Sequence, residues 1–170
     1  MQDLNNTFGI IRSLLDTPGV NQWKLLCGYL DRYESTWSDP IIQERLIHYV
    51  RARLKTWPGS IPRYAQHLWV TRALRGKEIP QLEFATAMQF VSQDADEEAM
   101  TILFNNHLLF NMHTLDLRGT QPGYQGILAL TENPWLDALR HLDLRRTGTS
   151  GVLLRMVCDR WNKTQCKIVV

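Results

Sequence analysis

The sequence predicts an α/β protein in which a helical N-terminal half, residues 1–84, caps a short curved array of parallel strands and outer helices in residues 85–170. Two observations carry this. Met112-x-x-Leu115-Asp116-Leu117-Arg118-x-Thr120 returns as Leu139-x-x-Leu142-Asp143-Leu144-Arg145-x-Thr147, every position advanced by 27. The first 84 residues lack that period and space their apolar residues as helices do. A unit that cannot bury its own apolar face must stack on a copy of itself, so the repeat implies a solenoid.

Four helices are expected before the repeats. Leu4, Phe8, Ile11 and Leu15 recur at helical spacing until Thr17-Pro-Gly19 stops the first. The second carries Trp23, Leu26, Cys27 and Leu30. Ser38-Asp-Pro40 opens the third, with proline at a first helical position, where its missing N–H costs nothing. Ile41, Ile42, Leu46, Ile47, Val50 and Leu54 follow, and Trp57-Pro-Gly59 ends it. The fourth begins near Pro62, carries Ala65, Leu68, Trp69, Ala73 and Leu74, and stops at Gly76. The boundary to the repeats is expected near Pro80, with the helical half docked on the first repeat as one continuous body.

Three repeats are expected, at 85–111, 112–138 and 139–165, plus a short closing strand. Ala85, Met88, Phe90 and Gln93 stand one period before the clear motif and form a degraded first copy. In the second, Leu115 and Leu117 alternate with Thr114, Asp116 and Arg118, which puts the leucines on one strand face and the polar residues on the other. The breakers Thr120-Gln-Pro-Gly-Tyr124 then lead to a helix near 125–133, whose Ile127 and Leu130 are answered by Leu154 and Val157. Asp94 and Glu97 are spaced to cap the first repeat's helix. The period places Cys166 and Val169 at the apolar positions of the closing strand.

The L-x-x-L-x-L-x-x-N pattern with threonine at the asparagine position resembles a leucine-rich repeat, and the unit length resembles the ribonuclease-inhibitor-like subclass. Pro122 and Thr149 replace the last consensus leucine. The resemblance implies a role in protein recognition: a non-enzymatic adaptor, scaffold or regulatory subunit whose partner is another protein. No cofactor is implied.

Composition is that of an ordinary globular chain, 44% apolar and 21% charged, with a formal net charge of +2. No apolar run approaches a membrane span, and the N-terminus lacks a signal-peptide layout, so no membrane association is expected. Cys27, Cys158 and Cys166 are odd in number and lack metal-ligand spacing, which suits a reducing, cytoplasmic setting.

Two surfaces stand out as partner sites. The polar strand face stacks Asp116 beside Asp143, Arg118 beside Arg145, and Thr114 beside His141, all expected to face solvent. Each aspartate lies diagonally near an arginine of the next strand, so crossed ion pairs can offset the like charges. The alternative is the basic stretch Arg45, Arg51, Arg53, Lys55, Arg63, Arg72, Arg75 and Lys77, which has no Asp or Glu after Arg45 and is interleaved with His48, Tyr49, Trp57, Tyr64, His67 and Trp69. Basic residues among aromatics suit phosphate neutralisation and base stacking, the footprint of a nucleic-acid-associated protein. A solvated helix face explains the same charges, as does a docking face for an acidic protein.

No catalytic residue is assigned. The chain lacks a Gly-rich phosphate loop, a G-x-S-x-G elbow and an H-E-x-x-H motif. The carboxylates between Asp94 and Glu98 read as a helix cap instead of a metal site, and no metal or small-molecule substrate is expected.

Overall fold

The computed structural model describes residues 2–36, 39–90, 95–162 and 164–170, with the side chains of 2–5 and 33–36 excepted. Ser38, Val91, Gln93 and Asp94 lie outside the described residues. The chain divides into two compact units, Met1–Arg63 and Tyr64–Val170.

The first unit contains α1 (Gln2–Asp16), α2 (Val20–Thr36) and α3 (Pro40–Leu54). Asp39 caps α3 by accepting the Ile41 N–H at 2.9 Å, and Pro40 occupies the first turn, satisfying one orphan donor and removing another. Ile11, Leu15, Trp23, Leu26, Cys27, Leu30, Leu46, Val50 and Leu54 are buried, as the helical spacing requires, whereas Ile41 is exposed. Trp57 is buried just after α3. Its indole N–H reaches back 2.9 Å to the Leu15 carbonyl at the end of α1, so a large apolar side chain enters the core with its polar atom satisfied.

The second unit alternates strands and helices: α4 (His67–Leu74), β1 (Ala87–Gln89), α5 (Glu97–Phe104), β2 (Thr114–Asp116), α6 (Gly123–Glu132), β3 (His141–Asp143), α7 (Gly151–Trp161) and β4 (Lys167–Val169). Among the described residues the strands form one parallel sheet in sequence order. Ala87, Met88 and Gln89 pair with Thr114, Leu115 and Asp116, which pair in turn with His141, Leu142 and Asp143, one period at each step. Met88, Leu115 and Leu142 form a buried column, flanked by Ala85, Met112 and Leu139 on one side and Phe90, Leu117 and Leu144 on the other. Met100 and Ile127, with Leu103, Leu130 and Val157, supply the helix side of the core.

A second ladder runs beside the sheet. Short 3-10 segments at Pro80–Phe84, His107–Asn111 and Pro134–Leu136 begin one period apart, and Leu82, Leu109 and Leu136 stack through them fully buried. Asn106 and Asn133 cap two of these segments by accepting the Leu108 and Trp135 N–H groups. Asn133 also donates to the Phe104 carbonyl of the preceding repeat, tying neighbours together. Gly126 permits close helix packing, since a Cβ there would stand 3.1 Å from that of Met100 on α5.

The structure corrects the expected elements at three places. The fourth helix starts at His67, not near Pro62, because Tyr64 makes a parallel bridge to Ala87 and Ala65 N–H donates to the Ala87 carbonyl at 2.8 Å. Bridge, α4 and the first 3-10 segment thus form a shortened copy of the repeating unit. The cap of α5 is Asp96, which accepts the Ala99 N–H at 2.9 Å; Glu97 is the first helical residue and bonds instead to the Gln125 N–H at 2.6 Å, at the start of α6. The closing strand pairs Leu142 with Ile168, not Val169, a step of 26 instead of 27. No 3-10 segment separates α7 from β4 among the described residues, so the chain returns to the sheet sooner and the register slips by one.

Candidate functional site

The polar side of the sheet is organised around two Asp-x-Arg units. At the exit of β2 the Asp116 carboxylate accepts the Arg118 backbone N–H at 3.2 Å, and one period later Asp143 accepts that of Arg145 at 3.1 Å. These side-chain turns end the strands and lead into left-handed backbone at Gly119 and Arg146, with φ of 73° and 59°. Thr120 and Thr147 occupy the same place one period apart. Each is buried, and its hydroxyl donates to the carbonyl three residues earlier, at 2.8 and 2.7 Å.

Each aspartate also holds its own arginine in a fork. Arg118 donates through Nε and Nη2 to Asp116 at 2.8 and 2.6 Å, and Arg145 does so to Asp143 at 3.0 and 2.6 Å. Two parallel charge-assisted bonds fix the guanidinium plane as one cannot. Arg118 Nε also lies 3.6 Å from Asp143, so the crossed pair expected from the sequence is present and secondary to the pair within each repeat. The strands alone would set Asp116 against Asp143; the interposed arginine offsets that repulsion. Hydrogen bonds from Arg118 and Arg145 hold the Asp116 and Asp143 carboxyls below the usual carboxylate range, and the two guanidiniums are correspondingly raised.

One expectation fails here. Asp143 does not face open solvent: it is 4% exposed, covered on the sheet by the arginines it binds. Arg118 and Arg145 stand in turns just beyond the strands, not within them. Thr114 and His141 pair in register and are half-buried, with Lys167 next in the row.

Beside this ladder Gln89, Phe90, Asp116, Arg118, Gly119, Arg145 and Arg146 line a cleft of about 480 Å3. Sequence reading missed Arg146, which also lines a second cleft of about 760 Å3 at the starts of α5, α6 and α7. The signal was present: Arg146 stands one period after Gly119, where the turn demands a positive φ. Arg146 is exposed and has no acidic partner among the described residues.

The basic stretch is divided between the two units. Arg45, Arg51, Arg53, Lys55 and Arg63 belong to the first, and Arg72, Arg75 and Lys77 to the second. Arg53 is engaged by Asp16, and burial lowers the pKa of Arg63. Arg45, Lys55, Arg75 and Lys77 are exposed. Trp57 and Trp69 are buried in the core and offer no stacking face, whereas Tyr64 is 44% exposed. Among the described residues no group of three or more His, Cys, Asp or Glu is placed to hold a metal ion, and no helix is long and apolar enough to cross a membrane. Cys27 is buried, and burial pushes the Cys166 thiol up to about 11, so both are poor nucleophiles.

No family model, curated protein or solved structure matches this chain.

Proposed function

We propose that residues 85–165 are three leucine-rich repeats of the ribonuclease-inhibitor-like kind, and that the chain is a non-enzymatic protein-recognition module, an adaptor or regulatory subunit of the cytoplasm. The repeat assignment is supported by strands one period apart, in register, each followed by a helix. The observation that carries the function is the Asp116–Arg118–Asp143–Arg145 ladder, whose charged groups are immobilised on strand ends next to a cleft. Groups already ordered lose little freedom when a partner arrives, so such an array supports specific binding at low entropic cost. The protein partner meets the ladder together with Gln89, Thr114, His141 and Arg146.

The test is capture of partners from the native host under nuclease treatment, with two variants in parallel. Gln89→Trp with Arg146→Glu blocks the strand face without removing a member of the ladder. Arg45→Glu with Arg75→Glu reverses the basic stretch at exposed positions. Loss of the partner with the first variant alone supports the reading, and loss with the second alone overturns it.

Nucleic-acid association through the basic stretch is the second reading, favoured by the exposure of Tyr64 next to Arg63. Fluorescence anisotropy with unrelated DNA and RNA oligomers tests it. Weak binding without sequence preference, lost as salt rises, is expected, and sub-micromolar affinity at physiological salt would reverse the order of the two readings.

A further inference from the structure

The first unit holds a cleft that the strand-face reading leaves unused. Phe8, Arg12 and Asp16 stand four residues apart along α1, and Arg45, Tyr49 and Arg53 stand four apart along α3. On a helix that spacing stacks side chains in a single row. The two rows, with Gly9, line a cavity of about 790 Å3, within the range of small-molecule sites.

The charges in the cleft are unbalanced. Asp16 takes the Arg53 guanidinium and lies 3.9 Å from Arg12 Nε, so one carboxylate serves two arginines where the C-terminal ends of the rows meet. Arg45 is exposed and has no acidic partner among the described residues. Three guanidiniums against one carboxylate leave a formal charge of +2 (3 − 1), gathered in one concavity, where it raises the local concentration of anions. Phe8 and Tyr49 are half-buried and line the cleft together with the arginines, and Tyr49, between Arg45 and Arg53 in its row, is an aromatic group that a flat ring can meet.

We propose that this cleft binds a small phosphate monoester bearing a flat ring, the chemistry of a nucleoside monophosphate. Arg12 and Arg45 hold the phosphate, Tyr49 meets the ring, and Asp16 keeps Arg53 in place where the two rows meet. A phosphate monoester carries close to two negative charges near neutral pH, which matches the excess in the cleft. The arginines converge on one concavity instead of tracking a line, as a polynucleotide would require. This inference does not depend on the reading of the strand face.

Calorimetry on the full chain tests it, with AMP, adenosine, inorganic phosphate and glycerol 3-phosphate as probes. AMP binds, adenosine does not, and the two ring-free phosphates bind more weakly than AMP. Arg45→Glu, at an exposed position, lowers AMP affinity roughly tenfold or more. Arg12→Glu repeats the loss from the other helix, and unchanged melting temperatures show that both variants are folded. Tyr49→Leu removes the preference for AMP over glycerol 3-phosphate. The proposal is overturned by absence of AMP binding up to about 5 mM, by adenosine binding as tightly as AMP, by indifference to both arginine reversals, or by a short oligonucleotide binding more tightly per phosphate than AMP.

Discussion

Gly119 and Arg146 occupy the same place in consecutive repeats and share a left-handed backbone, with φ of 73° and 59°, although only one of them is a glycine. The turn after each Asp-x-Arg unit imposes that conformation. A Cβ in the left-handed region costs about 1–2 kcal/mol, so Arg146 is held there against its preference.

Arg146→Gly is therefore expected to raise stability by up to about 1 kcal/mol, the relief of strain being partly offset by a more flexible unfolded chain. Chemical denaturation measures this. If the residue serves recognition, the same variant weakens partner binding while stabilising the fold.

Leu142→Ala removes a fully buried side chain from the central column and is expected to cost about 2–5 kcal/mol. Asp143→Ala, next to it on the opposite face, costs about 1–3 kcal/mol, because it deletes the turn bond and leaves Arg118 and Arg145 without their shared acceptor. Asp143→Asn recovers part of that loss by keeping the turn. Melting curves of the three variants separate the contributions, and Asp143→Ala matching the wild type would refute the ladder.

Acid should weaken the second unit. Asp116 and Asp143 titrate below their unfolded values, so their stabilisation is complete above about pH 4 and is lost as pH falls through the lower folded values. The double variant Asp116→Asn with Asp143→Asn starts less stable and shows a shallower decline on acidification. Equal slopes for the two proteins between about pH 4.5 and pH 2.5 would rule the pairs out as a source of the acid response.

Asn133→Ala is expected to cost about 1–3 kcal/mol, since it removes the cap of one 3-10 segment and leaves the Phe104 carbonyl of the preceding repeat unsatisfied. Asn106→Ala, whose side chain only caps its own segment in the described bonds, costs less. Thermal denaturation of the pair reads the difference.

The repeat period was legible because it is a property of the order of side-chain types. Met88, Leu115 and Leu142 follow from apolar residues that alternate on a strand and recur every 27 positions, and Trp23, Leu26 and Leu30 from the 3.6-residue turn of a helix. Side-chain order alone thus accounts for the α/β class, the first three strands and the buried columns. Features that depend on how the chain closes through space were set by packing. The return from α7 to β4 without a 3-10 segment selected Ile168 over Val169, and the bridge from Tyr64 to Ala87 shortened the fourth helix. Whether Asp143 faced water also depended on two arginines folding back over it from turns, a rotamer choice that no period encodes. The α1–α3 cleft joins residues 8–16 to residues 45–53, and only packing brings such distant rows together. Periodicity is local and repeats along the chain, whereas register, burial of charge and clefts are set by contacts between segments that the chain order does not make neighbours.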